Sequence, residues 1–112
     1  METKILFVIV IGNKFQADFG STVLELFFET ETTLTYKVIK GENPGREETV
    51  EITMIEIRPN VYMVTWQEND QTTVTHIEDF EEQKVFSSIT LPDSTFITLT
   101  GDLIPIEPHQ LI

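Results

Sequence analysis

The sequence predicts an all-β fold: a single domain over residues 1–112, built from eight antiparallel strands that close into an up-and-down barrel. Of the 112 residues, 38 are threonine, isoleucine or valine and one is alanine, a composition typical of strands and not of helices. Apolar and polar residues alternate along most of the chain, and short polar segments separate the alternating runs. A seven-stranded sandwich is the alternative architecture for this pattern.

The first strand is expected in the apolar run at residues 5–11. This run is too short to span a bilayer, and no small-residue cleavage site follows it, so a signal peptide is not expected. A short β-branched run bounded by Gly12 and Asn13 is typical of a strand that is buried on both faces. Such a strand can also pack against a second copy of the chain, which favours a homodimer.

Seven further strands follow from the alternation of apolar and polar residues. Their expected ranges are 22–29, 33–38, 49–58, 61–68, 72–80, 84–91 and 95–103. Turns are expected at Pro59-Asn60 and at residues 69–71, 81–83 and 92–94, and residues 41–46 form a wider connection.

The run at residues 49–58 departs from regular alternation. Val50, Ile52 and Met54 are apolar at even positions, whereas Ile55 and Ile57 are apolar at odd positions. A slip of one residue predicts a β-bulge at this point, and the resulting bend would help to close a barrel.

The charge of the chain excludes two classes of function. Seven basic residues against 19 acidic ones give a net charge of −12, so neither a nucleic acid nor an anionic membrane surface is an expected partner. The chain has no cysteine, which excludes disulfides and thiolate metal sites and favours a cytoplasmic location. No cofactor-binding motif occurs, so no cofactor and no metal are predicted.

The strand at residues 61–68 carries the main candidate site. A period of two places Tyr62, Val64, Trp66 and Glu68 on one face. If Trp66 points into the barrel, Glu68 does so too, and a carboxylate inside an apolar barrel needs a cationic partner or a hydrogen-bonded ligand. The alternative is that Glu68 lies in water at the mouth of the barrel.

Further candidate residues are Tyr36, Arg46, His76 and Arg58. The two arginines are the only guanidinium groups in a strongly acidic chain and can bind a carboxylate in bidentate fashion, or else form surface ion pairs. His76 is a candidate ligand contact or base, although a lone strand histidine is more often a hydrogen-bonded core residue. A metal site formed by Glu68, His76 and Glu78 is conceivable, but no recognised spacing of metal ligands supports it.

Several segments together resemble the MoaF-like family of small lipocalin-like (calycin) barrels. They are Gly12 to Phe19, Leu34-Thr35-Tyr36, Glu48-Thr49-Val50, the hairpin from Arg58 to Phe80, Ile89 to Pro92, Phe96 and Gly101. The resemblance covers nearly the whole chain and implies an eight-stranded barrel. The activity of that family is poorly defined, so the resemblance implies a fold and no reaction.

The motif Tyr62-x-Val64-x-Trp66-x-Glu68 is also distantly similar to a strand of the phenolic acid decarboxylases. That similarity implies roles for Glu68 and for Arg46, which precedes Trp66 by twenty positions. The two substrate-binding tyrosines of those enzymes are replaced here by Ala17 and Phe19, which cannot hydrogen-bond to a substrate. Decarboxylation would therefore lack its orienting groups, and the similarity argues against catalysis by the decarboxylase mechanism.

The sequence thus predicts a barrel that binds a small, partly apolar or aromatic molecule. The predicted ligand contacts are Tyr36, Arg46, Tyr62, Trp66, Glu68 and His76. Two alternatives stay open: a lyase that acts on a phenolic acid through Glu68 and Arg46 with help from His76, and a structural or regulatory protein that binds a protein partner.

Overall fold

The computed structural model describes residues 9–106. Within this range the chain forms eight β-strands. They are β1 (Lys14–Asp18), β2 (Val23–Thr30), β3 (Thr33–Lys40), β4 (Glu47–Arg58), β5 (Val61–Gln67), β6 (Thr73–Asp79), β7 (Lys84–Thr90) and β8 (Phe96–Pro105).

Each strand pairs antiparallel with the next one along the chain, and β1 also pairs with β8 to close a barrel. This confirms the predicted eight-stranded up-and-down barrel and rules out the sandwich. In the part of the chain that the structure describes, no helix is long and apolar enough to cross a membrane.

The position of the first strand differs from the prediction. Residues 5–8 of the expected strand lie outside the described residues, and residues 9–11 are not in a strand. The first strand of the described residues is Lys14–Asp18, where buried Phe15 and Ala17 alternate with more exposed residues. The apolar run dominates the sequence signal, whereas β1 has only five residues and two apolar positions, so it gives little periodicity to detect.

The predicted bulge in β4 lies later than the apolar slip suggests. Pairing with β5 is regular from Ile52 to Glu56, and the register shifts only between Glu56 and Arg58. Ile55 is 48% exposed because it faces outward within the regular pairing, and Ile57, which lies at the register shift, is 53% exposed. The change of apolar phase therefore marks an apolar outer surface and not a bulge at Met54.

One end of the barrel is closed by an apolar cluster. Phe15 packs edge-on against Phe80 with ring centroids 4.8 Å apart, and against Phe28 at 6.1 Å. Tyr62 also packs on Phe80, and Val10 from the segment before β1 is buried in the same core. We call this the closed end; the connections at its rim are residues 31–32, 59–60 and 80–83.

A glycine permits the closure between β1 and β8. A Cβ at Gly101 in β8 would overlap the carbonyl oxygen of Asp18 and lie 2.9 Å from a ring carbon of Phe19. The end of β1 can therefore cross close to β8 only where β8 carries no side chain.

Candidate binding cavity

The opposite end of the barrel opens into a cavity of about 640 Å³. Four connections surround it, at residues 19–22, 41–46, 68–72 and 91–95. The apolar walls are formed mainly by Phe19, Leu24, Tyr36, Val38, Trp66, Val74, Ile89 and Leu99. This size lies within the usual range for small-molecule sites, roughly 300–1,000 Å³.

Arg46 is positioned at the mouth by main-chain hydrogen bonds between its loop and β3. Val38 N–H donates to the Arg46 carbonyl oxygen at 2.8 Å, and Gly45 N–H donates to the Val38 carbonyl oxygen at 2.7 Å. Gly45 has a φ of 93° in this turn, a conformation that a residue with a side chain adopts only with strain.

Glu68 is positioned by the hairpin between β5 and β6. Its N–H donates to the Thr72 carbonyl oxygen at 2.7 Å, and Gln71 N–H donates to the Glu68 carbonyl oxygen at 2.9 Å. The hairpin loop predicted at residues 69–71 is thus confirmed, with Gln71 in the left-handed region at a φ of 79°.

Arg46, Tyr36 and Glu48 form the centre of a polar network at the mouth. Arg46 Nη2 donates to the Tyr36 hydroxyl oxygen at 2.9 Å, and this hydroxyl donates to Glu48 Oε1 at 2.9 Å. The guanidinium also lies 3.4 Å from Glu48 Oε1 and 3.5 Å from Glu68 Oε1. One cation therefore faces two carboxylates, and the mouth keeps a net negative charge.

Two further contacts link this network to the β5–β6 hairpin. Trp66 Nε1–H donates to Glu68 Oε2 at 3.2 Å, and Asn69 N–H donates to Glu48 Oε2 at 2.8 Å. The indole that walls the cavity is therefore held by the carboxylate two residues later in sequence.

The environment of Tyr36 strongly favours the protonated phenol. Burial, the hydrogen bond to Glu48 and the nearby charge of Glu68 raise the pKa of Tyr36 far above its usual range, and the Arg46 charge only partly opposes them. At neutral pH this hydroxyl is a neutral donor whose proton is directed at Glu48.

Aromatic rings line the path from the mouth to the interior. The Tyr36 and Trp66 rings stack with centroids 6.3 Å apart and planes 27° from parallel. His76 meets the Trp66 ring at 4.9 Å and the Phe19 ring at 6.1 Å, both edge-on. A flat molecule that enters the cavity would lie along these rings.

The inner part of the cavity carries a buried polar group. His76 is 1% exposed, and its Nδ1 lies 2.8 Å from Oε2 of Glu78, which is 0% exposed. Ser87 lies directly opposite His76 on β7 and is 3% exposed. Among residues 9–106, neither the Ser87 hydroxyl nor Glu78 Oε1 has a hydrogen-bond partner.

The structure brings most of the predicted site residues together. Tyr36, Arg46, Trp66 and Glu68 meet at the mouth, and His76 lies deeper in the same cavity. Glu68 lies at the mouth, but its side chain is only 12% exposed, and it has a cationic partner in Arg46 at 3.5 Å and accepts a hydrogen bond from the Trp66 indole.

Tyr62 lies apart from the other predicted contacts. It shares an inward face with Trp66, but at the closed end of the barrel, where it packs on Phe80. A period of two predicts which face a residue occupies, and it does not predict which end of a closed barrel that residue reaches.

Arg58 also lies away from the cavity. It forms exposed ion pairs with Asp79 at 3.6 Å and Glu81 at 3.9 Å. The conceivable metal site is not assembled either: Glu68 is at the mouth while His76 and Glu78 pair inside, and the described residues contain no cluster of three or more potential ligands.

The positions that are tyrosines in the decarboxylases have separate surroundings. Ala17 is fully buried in the core, whereas Phe19 forms part of the cavity wall. An apolar ring therefore occupies a wall position at which the decarboxylase pattern has a hydroxyl.

Glu48 and Ser87 are residues of the cavity that are not among the predicted ligand contacts. Glu48 is one of fourteen glutamates, and composition alone does not distinguish it from the others. Ser87 becomes notable only through its register with His76. The alternation of Glu48 with Val50 and Ile52 is the sequence signal that indicates an inward Glu48 side chain.

Comparison with known proteins places this barrel in a family. A family model described as MoaF-like matches residues 11–104. The chain belongs to the MoaF-like family. The match includes all eight strands except the last residue of β8, together with every cavity residue described above.

Solved structures share the fold of this MoaF-like chain. A protein from Burkholderia vietnamiensis, described as "a putative beta-lactamase", superposes with a TM-score of 0.84 and 24% sequence identity, over 90% of this chain and 99% of that one. At that identity the likeness shows a shared fold alone. No curated protein matches the sequence.

Proposed function

We propose that this MoaF-like barrel binds a small, partly apolar, aromatic molecule inside its open end. The observation that carries the proposal is the cavity itself, about 640 Å³ in volume, with aromatic walls and a few inward polar groups. Such a combination of apolar surface with sparse, placed polar groups is typical of small-molecule sites.

The mouth network supports the proposal because it fixes the cavity walls before any ligand arrives. Tyr36 is 2% exposed and Trp66 is 6% exposed, and each ring is held by a hydrogen bond to a carboxylate. Rigid walls lower the entropic cost of binding.

Trp66 fluorescence provides the test, since Trp66 is the only tryptophan. The protein is titrated with hydroxycinnamates, neutral phenols and aromatic amines. A saturable change in fluorescence is expected. The dissociation constant should differ in Glu68→Gln, because this substitution replaces the carboxylate that accepts the indole hydrogen bond by a neutral amide. Glu82→Gln, an exposed carboxylate in the turn at the closed end, is the charge-matched control and should match the wild type.

No saturable change with any compound, from a protein whose emission shows a buried indole, would overturn the proposal. An altered Glu82→Gln titration would mean that total charge, and not contact with Glu68, controls the signal.

A lyase that acts on a phenolic acid is the second candidate. The meeting of Arg46 and Glu68 at 3.5 Å favours it, because these are the two groups that the decarboxylase similarity implies. Incubation with a hydroxycinnamate should then release carbon dioxide, and Glu68→Gln should abolish the release. Binding of the hydroxycinnamate without release of carbon dioxide would reject the lyase and leave only the binding function.

A further inference from the structure

We propose that the inner part of the cavity is a hydrogen-bond donor site for a ligand carbonyl oxygen, formed by His76 Nε2–H and the Ser87 hydroxyl. The ligand class is an uncharged aromatic carbonyl compound. This inference rests on the proposed binding function and names the chemistry of the ligand's buried end.

The first step is the charge of the His76–Glu78 pair. Both side chains are essentially inaccessible to water, and among residues 9–106 Glu78 Oε1 has no partner. A bare carboxylate in an apolar interior is costly, so a pair with no net charge is favoured. Such a pair is either imidazolium with carboxylate or neutral imidazole with carboxylic acid.

The second step is the position of the protons. In both uncharged arrangements one proton lies between His76 Nδ1 and Glu78 Oε2, which are 2.8 Å apart. The second proton is then on Nε2, because either an imidazolium or an imidazole that accepts at Nδ1 carries hydrogen there. Within residues 9–106 the ring forms its hydrogen bond through Nδ1, so Nε2–H is left for a ligand.

The third step is the neighbouring hydroxyl. Ser87 lies opposite His76 in the β6–β7 ladder, so both side chains are on the inner face with Cβ atoms about 5 Å apart. The Ser87 hydroxyl is buried, lines the cavity and has no partner among the described residues. An unpaired buried hydroxyl is destabilising unless a ligand or water satisfies it.

These steps select the ligand group. Two donors on adjacent strands can converge on one acceptor oxygen with two lone pairs, which describes a carbonyl group. An anion is disfavoured there, because a charge added beside an uncharged pair would be buried without a counter-charge. The edge-on Trp66 and Phe19 rings around His76 favour an aromatic carrier for that carbonyl.

Three compounds with one carbon skeleton test the proposal: acetophenone, 1-phenylethanol and ethylbenzene. Trp66 fluorescence reports binding, since its ring lies 4.9 Å from His76. Acetophenone is expected to bind about 10-fold more tightly than ethylbenzene, the effect of a net hydrogen-bond gain near 1.4 kcal/mol. Ser87→Ala should reduce this preference several-fold, whereas Glu82→Gln, in the exposed turn at the closed end, should leave the affinities of both compounds unchanged.

A double variant keeps the test valid if His76 cannot be replaced alone. His76→Leu combined with Glu78→Leu removes both polar partners and leaves no buried charge unpaired. It should reduce the preference for acetophenone over ethylbenzene several-fold, because the Ser87 hydroxyl remains as a single donor, and addition of Ser87→Ala should make the two compounds bind equally.

Nitrogen-15 NMR of the histidine rings tests the proton position independently. The chain has two histidines, and His109→Gln identifies the His76 signals. A proton bonded to His76 Nε2 is expected, with a shift of this resonance on addition of acetophenone. An unprotonated Nε2 overturns the donor assignment.

The outcomes separate the two proposals. Equal binding of all three compounds, or tightest binding of 1-phenylethanol, overturns the donor site and leaves the binding function standing. If none of the three binds, the binding function fails for these probes and the donor site falls with it.

Discussion

Glutamates in this chain have different roles because of where strand alternation places their side chains. Glu48 accepts hydrogen bonds from the Tyr36 hydroxyl and the Asn69 main chain, Glu68 holds the Trp66 indole, and Glu78 pairs with His76 in the interior. A glutamate side chain therefore links β3 to the β5–β6 hairpin, holds an aromatic wall residue or pairs with a buried histidine, according to its depth in the barrel.

Replacement of Glu48 should destabilise the mouth. Glu48→Ala leaves the Tyr36 hydroxyl and the Asn69 N–H without their acceptor, so the free energy of unfolding is expected to fall by about 1–3 kcal/mol. Urea denaturation measures this. Glu47→Ala, next to it on the exposed face of β4, is the control and should change stability by less than about 0.5 kcal/mol. Equal losses in the two variants would contradict the role of Glu48.

Tyr36 should titrate abnormally. Because burial, Glu48 and Glu68 raise its pKa, the folded protein is expected to keep this phenol protonated well above pH 10, while the unfolded chain ionises near 10. The unfolded state then releases its proton first, so above about pH 10 stability should fall by up to about 1.4 kcal/mol per pH unit.

Phenolate absorbance in a Tyr62→Phe background measures the Tyr36 titration, since the chain has two tyrosines. The same background with Tyr36→Phe should lose this additional alkaline instability. Ionisation of Tyr36 near pH 10 in the folded protein would show that the network does not protect the phenol.

At the residue scale, the strand face that a side chain occupies could be predicted from the sequence, whereas the residues that it contacts on other strands could not. Trp66 and Glu68 share a face because the strand period is two, and their hydrogen bond follows from that. Ser87 could not be placed opposite His76 in advance, because cross-strand pairs depend on hairpin register, which a difference of one turn residue alters.

At the element scale, strands with strong alternation were predictable and the weakest strand was not. β5 and β6 lie within one residue of their predicted limits because alternation and the turn residues agree. β1 is short and lies beside a much more apolar run, so local hydrophobicity favoured residues 5–11, of which 9–11 are not in a strand and 5–8 lie outside the described residues. Its place in the barrel depends on pairing with β2 and β8, which is a long-range property.

Gly101→Ala should weaken the pairing between β1 and β8. The added methyl group would overlap the Asp18 carbonyl oxygen, so one strand must move, and a loss of about 1–3 kcal/mol is expected. Thr100→Ala, on the exposed face of the same strand, controls for strand propensity and should cost less than about 1 kcal/mol. Hydrogen exchange should show faster opening of β1 in Gly101→Ala. Wild-type stability in Gly101→Ala would mean that β1 and β8 accommodate a methyl group at position 101 without strain.

At the scale of the whole molecule, the barrel has one apolar closed end, one open end and a net charge of −12. The fold class, strand number and pairing order were predictable because composition, alternation and turns all indicate a meander. The cavity was not, because interior volume depends on the sizes of side chains from every strand at once.

The net charge should affect the association rate of charged ligands. A field from twelve excess negative charges repels anions and is screened by salt, with a Debye length of about 10 Å at 0.1 M. We expect the association rate of benzoate to rise with ionic strength and that of uncharged acetophenone to stay constant, as measured by stopped-flow fluorescence of Trp66. A benzoate rate that falls with salt would show that Arg46 dominates the field at the mouth.

The closed end sets a limit on how a ligand of the proposed binding function could be modified chemically. If a compound enters at the mouth as proposed, the packing of Phe15, Phe28 and Phe80 at the other end means that its leading end would be buried and its trailing end would stay beside Arg46 near water. A linker attached to the trailing end therefore costs little affinity, whereas the same linker on the leading end blocks entry. Compounds immobilised through the end opposite their carbonyl group should retain this protein on a resin, and the reversed attachment should not.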